Sequence, residues 1–313
     1  HVLRETMMIA TNNGSYPTKA PGQGGSPDGE ALDRLTREAI DEQVRAGLDL
    51  VTDGLVRRQD PVSHLAGHLG GVVLGEARRG FPGSGGAYRV PIVSSEISWE
   101  APILTEDFLF AREGSPKTVK QVLVGPYTLS RIAEDRAYDD PMAMAMAFAI
   151  ALNAELKGLQ AAGAAWAQVD EPALLHNKED FPTFTRLWEV LGRGVTMRLC
   201  LHLEGGDLGG LYPGITRLKR LSCLSLDCVR GRASLGLLKE APLPADLMLG
   251  LGLVDGGSEV VEDSEGIVSV LRSTPGLPPP ERILLGTASD LGELPAAVAF
   301  AKLQALARAR DLV

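Results

Sequence analysis

Eight short, β-rich apolar runs recur along the chain at intervals too long for hairpins, and no other feature constrains the fold as much. They are 7–11 (MMIAT), 48–52 (LDLVT), 120–125 (KQVLVG), 166–170 (WAQVD), 196–203 (TMRLCLHL), 223–227 (CLSLD), 246–253 (DLMLGLGL) and 282–287 (RILLGT). Strands covered on both faces read as continuous apolar runs, as in parallel sheets. The intervening stretches carry helical periodicity. In 31–47, Leu32, Leu35, Ala39 and Val44 fall on one face, and Pro295 opens the last such stretch at a first-turn position. Eight strand–helix pairs predict an α/β fold, a single (β/α)8 TIM barrel domain over 1–313, with a doubly wound open sheet as the rival. Residues 70–116 break the pattern and predict a hairpin inserted after the second strand.

Composition narrows the partners. Thirty-one Lys and Arg against forty Asp and Glu give a net charge of -9, which argues against nucleic acid or an anionic membrane. Three cysteines in 313 residues build no disulfide framework, which points to a reducing, cytoplasmic setting. No apolar run suggests a membrane span, and the first residues show no secretion-signal core. A small-molecule substrate is the expected partner, and nothing in the sequence sets an oligomeric state.

A barrel of this kind carries its chemistry at the C-terminal ends of its strands. Those ends offer Asn13 and Ser15, then Asp53, Tyr127, Asp170 with Glu171, His202 with Glu204, Asp227, Asp255, and Ser289 with Asp290. So many carboxylates suit an amine-bearing ligand or a divalent cation. Strand alternation sets His202 and Glu204 on one face, with Leu201 and Leu203 on the other. With Asp227 they form either an oxygen-rich metal site or a metal-free acid/base set, the third outcome being a merely solvated patch. Pro172 holds the turn after Glu171 open, and Asp170 is expected to face the mouth. Cys200 reads as a core thiol one layer below His202, Cys228 as packing against helices, and Cys223 as structural. His64 and His68 stand four apart, on one face of a possible helix.

Four stretches in order, NNGSYP, DLVTDGLVRRQD, AQVDEPALL and LGTASDLGELPAAVAFAKLQALARA, resemble the catalytic C-terminal barrel of cobalamin-independent methionine synthase and its single-barrel relatives. The resemblance implies a thiol amino acid, a methyl donor such as a methylated folate, and a zinc ion that lowers the thiol's pKa. It also implies that zinc would be held at 202, 204, 227 and 289, where the family has His, Cys, Glu and Cys. Here those positions are His202, Glu204, Asp227 and Ser289, so both sulfur ligands are replaced and tight zinc is not expected. Ser15 and Asp170 match substrate-holding positions, Leu55 replaces an acid of the amino-acid pocket, and Ile132 stands where an aromatic would stack on the folate. The resulting expectation is methyl or small-alkyl transfer, or dealkylation, at sulfur or a similar heteroatom of a small amine-bearing substrate, rather than strict methionine synthesis. The alternatives are lyase or hydrolase chemistry from the mouth carboxylates, and a non-catalytic binding paralogue. In this reading His202, Glu204, Asp227 and Asp170 do the chemistry, while Ser15, Asn13, Asp53, Tyr127, Glu171 and Ser289 contact substrate.

Overall fold

The structure is a computed structural model, and it describes residues 7–18, 29–80 and 86–313. The chain runs β1 (Ile9–Thr11), α1 (Gly29–Ala46), β2 (Leu50–Val51), α2 (Pro61–Ala66), β3 (Gly70–Arg79), β4 (Ala87–Ser98), α3 (Thr105–Gly114), β5 (Thr118–Val124), α4 (Pro126–Ile132) and β6 (Glu134–Asp135). It continues with α5 (Pro141–Ala161), β7 (Trp166–Asp170), α6 (Ala173–His176), α7 (Phe181–Leu191), β8 (Arg198–Leu203), β9 (Leu221–Asp227), α8 (Ser234–Leu237), β10 (Met248–Val254), α9 (Ser264–Ser273), β11 (Ile283–Thr287) and α10 (Ala296–Asp311). Eight strands close a parallel barrel in the order β1-β11-β10-β9-β8-β7-β5-β2. These are the eight apolar runs, and the open-sheet alternative is excluded because β1 pairs with both β11 and β2.

The first two barrel strands are shorter than the apolar runs that predict them. At β2 the cause is local: the side-chain amide of Gln43, on α1, takes both backbone groups of Thr52, accepting from its N–H at 3.0 Å and donating to its carbonyl at 3.0 Å. Strand pairing therefore stops at Val51.

The 70–116 segment is a hairpin and more. β3 and β4 pair antiparallel, β6 adds to β4 in parallel, and α3 follows to rejoin the barrel's outer layer. The hairpin tip at 81–85 lies outside the described residues.

Most of the core lies between the barrel and its helices. The longest helix, α5, is long and apolar enough by composition to cross a membrane, against the sequence expectation that nothing here would be. It behaves as a core helix: Phe148, Leu152, Leu156 and Leu159 are wholly buried. Its buried polar groups also have partners, with Asn153 donating to the carbonyls of Leu191 and Arg193.

One side chain of α5 ties the hairpin to the barrel. The buried Glu155 carboxylate accepts from Trp99 Nε1 at 2.7 Å and from the backbone N–H groups of Ile103 and Leu104 at 2.9 and 2.7 Å. Removing the acceptor strands three donors, each costing about 1–3 kcal/mol when buried unpaired. Glu155→Ala is expected to lower unfolding free energy by about 3 kcal/mol or more in urea titration, and Glu155→Gln by less.

Candidate active site

The barrel lumen is filled in two layers of opposite character. Ile9, Leu50, Trp166, Cys200, Cys223, Met248 and Leu284 form a separate apolar cluster in its lower half. Cys200 and Cys223 are register partners there, both fully buried, whereas Cys228 joins the large core cluster.

Two residues further along the strands the lumen turns polar. Lys120, Gln168, His202 and Ser225 come from β5, β7, β8 and β9, joined by Asn13 from the end of β1. The amine of Lys120 lies 3.0 Å from Asn13 Oδ1 and 2.6 Å from Gln168 Oε1. Gln168 Nε2 donates to Asp170 Oδ1 at 2.8 Å, and Ser225 Oγ lies 3.0 Å from His202 Nδ1. The layer needs a missing side chain: a Cβ on Gly250, the neighbour of Ser225, would come within 2.7 Å of Ser225 Oγ. Neither Lys120 nor Gln168 was among the residues expected from sequence to form the site. Their signal is a polar side chain of inward parity inside an otherwise apolar run.

Above this layer sit the groups that can react. His202 is 2 % exposed, and its Nε2 has no hydrogen-bond partner. The nearest carboxylate oxygen recorded for it is Glu204 Oε2 at 4.0 Å. Burial, and then the nearby Lys120, push its pKa down to about 3, so the ring is neutral. Glu204 is pushed well above the usual carboxyl range by burial, with repulsion from Asp290, Asp170 and Asp227 adding to it. Asp170 keeps part of its surface at the mouth, yet its surroundings raise it to about 8, burial first, with the Gln168 bond opposing and Asp290 adding repulsion. Asp290 is raised by burial too, although the Ser15 N–H, 2.6 Å from its Oδ1, opposes the shift. It is the third member of this carboxyl cluster, noted in the sequence only as a polar strand end.

A cavity of about 320 Å³ reaches this cluster through Asp290. Ser15, Ser289, Asp290, Leu55, Arg230 and Tyr88 are among its lining residues, so the β3–β4 hairpin supplies part of its wall. Asp170, His202, Glu204 and Asp227, the residues expected to do the chemistry, are not in that lining. Leu55 has a left-handed backbone (φ 54°), held by its N–H donating to Asp53 Oδ1 at 3.0 Å.

Several expected contact residues are committed elsewhere. Asp53 pairs with the buried Arg58 at 2.9 Å, which makes it part of the wall. Glu171 accepts from the backbone N–H groups of Tyr127 and Thr128 at 3.0 and 2.6 Å, satisfying the first turn of α4. A Cβ on Gly125 would strike that carboxylate at 2.1 Å, which explains the glycine of the GPYT turn. The Tyr127 hydroxyl donates to Asp180 at 2.8 Å, and its ring packs edge-on against Phe184. Glu171 and Tyr127 thus support the β5–α4 turn, a correction to their expected role in contacting substrate. The helix α2 ends at Ala66, before His68; the two rings are 5.0 Å apart, His68 Nδ1 faces the His64 carbonyl, and burial lowers His64 to about 4.

The donor set does not fit a tightly held zinc. Asp227 Oδ1 accepts from the Val229 and Arg230 N–H groups, each at 2.9 Å, and Oδ2 from Gly205 N–H at 3.0 Å. That carboxylate is occupied by its own turn and by Gly205, which counts against its expected role as a metal ligand. His202 Nε2 has no hydrogen-bond partner, with Glu204 Oε2 at 4.0 Å, and Ser289 brings a hydroxyl where the resemblance implies a sulfur ligand. Among the described residues no group of three or more His, Cys, Asp or Glu side chains is arranged to hold a metal ion.

The fold and this mouth define a (β/α)8 barrel with a carboxyl-rich C-terminal face, and comparison with known proteins gives the family. The profile described as "Cobalamin-independent synthase, Catalytic domain" matches residues 8–310, so the chain belongs to that family. The methionine synthase of Saccharolobus solfataricus is 29% identical over 285 residues, covering 91% of this chain and 85% of its own. That of Methanothermobacter thermautotrophicus is 29% identical over 320 residues, covering 95% and 97%. Among solved structures, a B12-independent methionine synthase from Shewanella sp. W3-18-1, in complex with selenomethionine, superposes with a TM-score of 0.87 at 23% identity, covering 98% of both chains.

The carboxyl cluster has a stability cost that can be measured. A carboxyl whose folded pKa lies above its unfolded value destabilises the fold as pH rises through the window between the two, because the unfolded chain gives up the proton first. Glu204→Gln is therefore expected to raise stability by about 0.5–2 kcal/mol at pH 8 and by less at pH 5, read from thermal melts. Asp227→Asn is expected to lower it at both, since one oxygen cannot replace two.

Proposed function

We propose that this chain is a methyl- or small-alkyl-transferase acting at sulfur or a similar heteroatom of a small ammonium-bearing substrate. Mouth carboxylates take over work that zinc-bound thiolate chemistry does elsewhere in the family. The observation that carries the reading is the cluster of Asp170, Glu204 and Asp290, three carboxyl groups whose pKa values are raised first by burial, with Asp290 adding repulsion to Asp170 and Glu204. A substrate ammonium group placed among them relieves that repulsion and releases a proton. The hydroxyls of Ser15 and Ser289 line the cavity for the substrate's polar end, and Leu55 offers an apolar wall. Beside His202, Glu204, once the bound ammonium group has displaced its proton, accepts the proton of the reacting heteroatom. As that atom's lone pair bonds to the alkyl carbon, its proton passes to the carboxylate and the donor leaves with the electrons of the old bond. A methylated folate belongs to this reading as a donor class. Ile132, partly buried against the core cluster, provides no aromatic face for it. A reducing, cytoplasmic location suits the three buried free thiols.

Two experiments test the reading. L-methionine, as an amine-bearing thioether probe, should bind more tightly as pH rises through about 8, where Asp170 loses its proton. Calorimetry in buffers of different ionisation enthalpy should show proton release on binding, and Asp170→Asn should abolish the pH-dependent part. Binding that weakens steadily from pH 6 to 9 would reject the ammonium site.

For the chemistry, a panel of S- and N-methyl compounds followed by mass spectrometry supplies the assay. Glu204→Gln should fold normally and lose turnover by about 10² to 10⁴. Asp246→Asn, exposed at the opposite end of the barrel, is the matched control. Full turnover in Glu204→Gln would move the reacting centre elsewhere, and binding without turnover of any compound would favour a non-catalytic paralogue.

A further inference from the structure

The polar layer beneath the mouth has a direction built into it, and its source is the one side chain there that donates hydrogens to both amides. The Lys120 amine is wholly buried and has two close oxygens, Asn13 Oδ1 and Gln168 Oε1. Lys120 donates to both, so each amide turns its oxygen toward it and its NH₂ group away. The NH₂ of Gln168 then points at the Asn13 carbonyl and at Asp170 Oδ1, at 2.5 and 2.8 Å. The NH₂ of Asn13 points at the Thr287 carbonyl, at 2.7 Å, and at Ser225 Oγ, at 3.3 Å. Of the two partners of Ser225 Oγ, the Asn13 amide nitrogen can only donate, so the acceptor for the hydroxyl hydrogen is His202 Nδ1, 3.0 Å away. A ring nitrogen that accepts carries no hydrogen, so the imidazole hydrogen sits on Nε2.

We propose that Lys120 is a positioning residue which, through Asn13 and Ser225, locks His202 in the Nε2–H tautomer and, through Gln168, aims an amide donor at Asp170. The consequence lies at the mouth. The unpartnered Nε2, 4.0 Å from Glu204 Oε2, presents a hydrogen rather than a lone pair. A metal ligand needs the lone pair, whereas a group that holds a reacting heteroatom or orients Glu204 needs the hydrogen. His202 is the one position of the family's metal set whose residue type is retained, and this network changes what it offers. That role for the hydrogen rests on the function proposed above, but the tautomer does not.

Two-bond ¹H–¹⁵N correlation spectra of the imidazole rings read the tautomer directly. The chain has five histidines, and His202→Gln identifies the signals of interest. The wild-type protein at neutral pH should show the Nε2–H pattern for His202. Lys120→Met keeps length and removes the donor, and it should shift that pattern to an exchange-averaged mixture. Ser225→Ala cuts the link without touching Lys120 and should produce the same shift. A merely structural lysine would lower the melting temperature and leave the tautomer alone. An Nδ1–H pattern in the wild type would overturn the proposal even if Lys120→Met failed to fold. So would an unchanged pattern in a folded Lys120→Met, or stoichiometric zinc converting the wild-type ring to Nδ1–H. None of these outcomes depends on whether an ammonium ligand binds, so a failed tautomer and a failed substrate reading are told apart.

Discussion

Closing eight parallel strands into a barrel creates a lumen that side chains must fill, and the rest of this molecule follows from how that is done. The lower half is filled with apolar groups and two thiols, which need no partners. The upper half holds a fully buried amine, two amides, a hydroxyl and an imidazole, each of which would be costly there alone. They are tolerated because hydrogen bonds run between them from β1 to β9. Such a network is stiff, since turning one amide would leave donors facing donors along its length. The mouth above therefore rests on a floor whose hydrogen positions are set by connectivity.

On that floor the protein accumulates like charges, which is unfavourable for the fold. Burial raises Asp170, Glu204 and Asp290, Asp290 raises the other two further, and Arg230, itself shared between Asp227 and Asp255 at 3.5 and 3.4 Å, relieves Glu204 only in part. A fold selected for stability alone would not keep this arrangement, and a cation-binding reactive site has reason to. Other buried acids are bonded more fully, although burial still raises Glu171 to about 7. Glu155, Glu171 and Asp227 are each satisfied by backbone N–H groups and serve as fasteners. The distinction between the two kinds is therefore in their donors, since burial is common to both.

That distinction was beyond the reach of sequence reasoning. Glu171 follows Asp170 directly, and both were expected at the mouth. Only the position of α4, whose first N–H groups come from residues far along the chain, shows that Glu171 faces away. Asp227 likewise has the position of a ligand, but its oxygens are taken up by Gly205 across the mouth and by its own turn. The hairpin was visible as a break in the pattern, but its packing over the mouth was not.

The sequence by itself determined the barrel. Runs buried on both faces, separated by amphipathic helices, have few other ways to cover their surfaces, and six of the eight runs overlap their strands over most of their length. The sequence also determined which polar residues stand at strand ends, because strand alternation is a local rule. The tertiary structure decided which carboxylates are free to act, which way the amides of Asn13 and Gln168 face, and which nitrogen of His202 carries the hydrogen. Those are properties of contacts between residues as far apart as Asn13 and Thr287, and no pattern within a single segment encodes them.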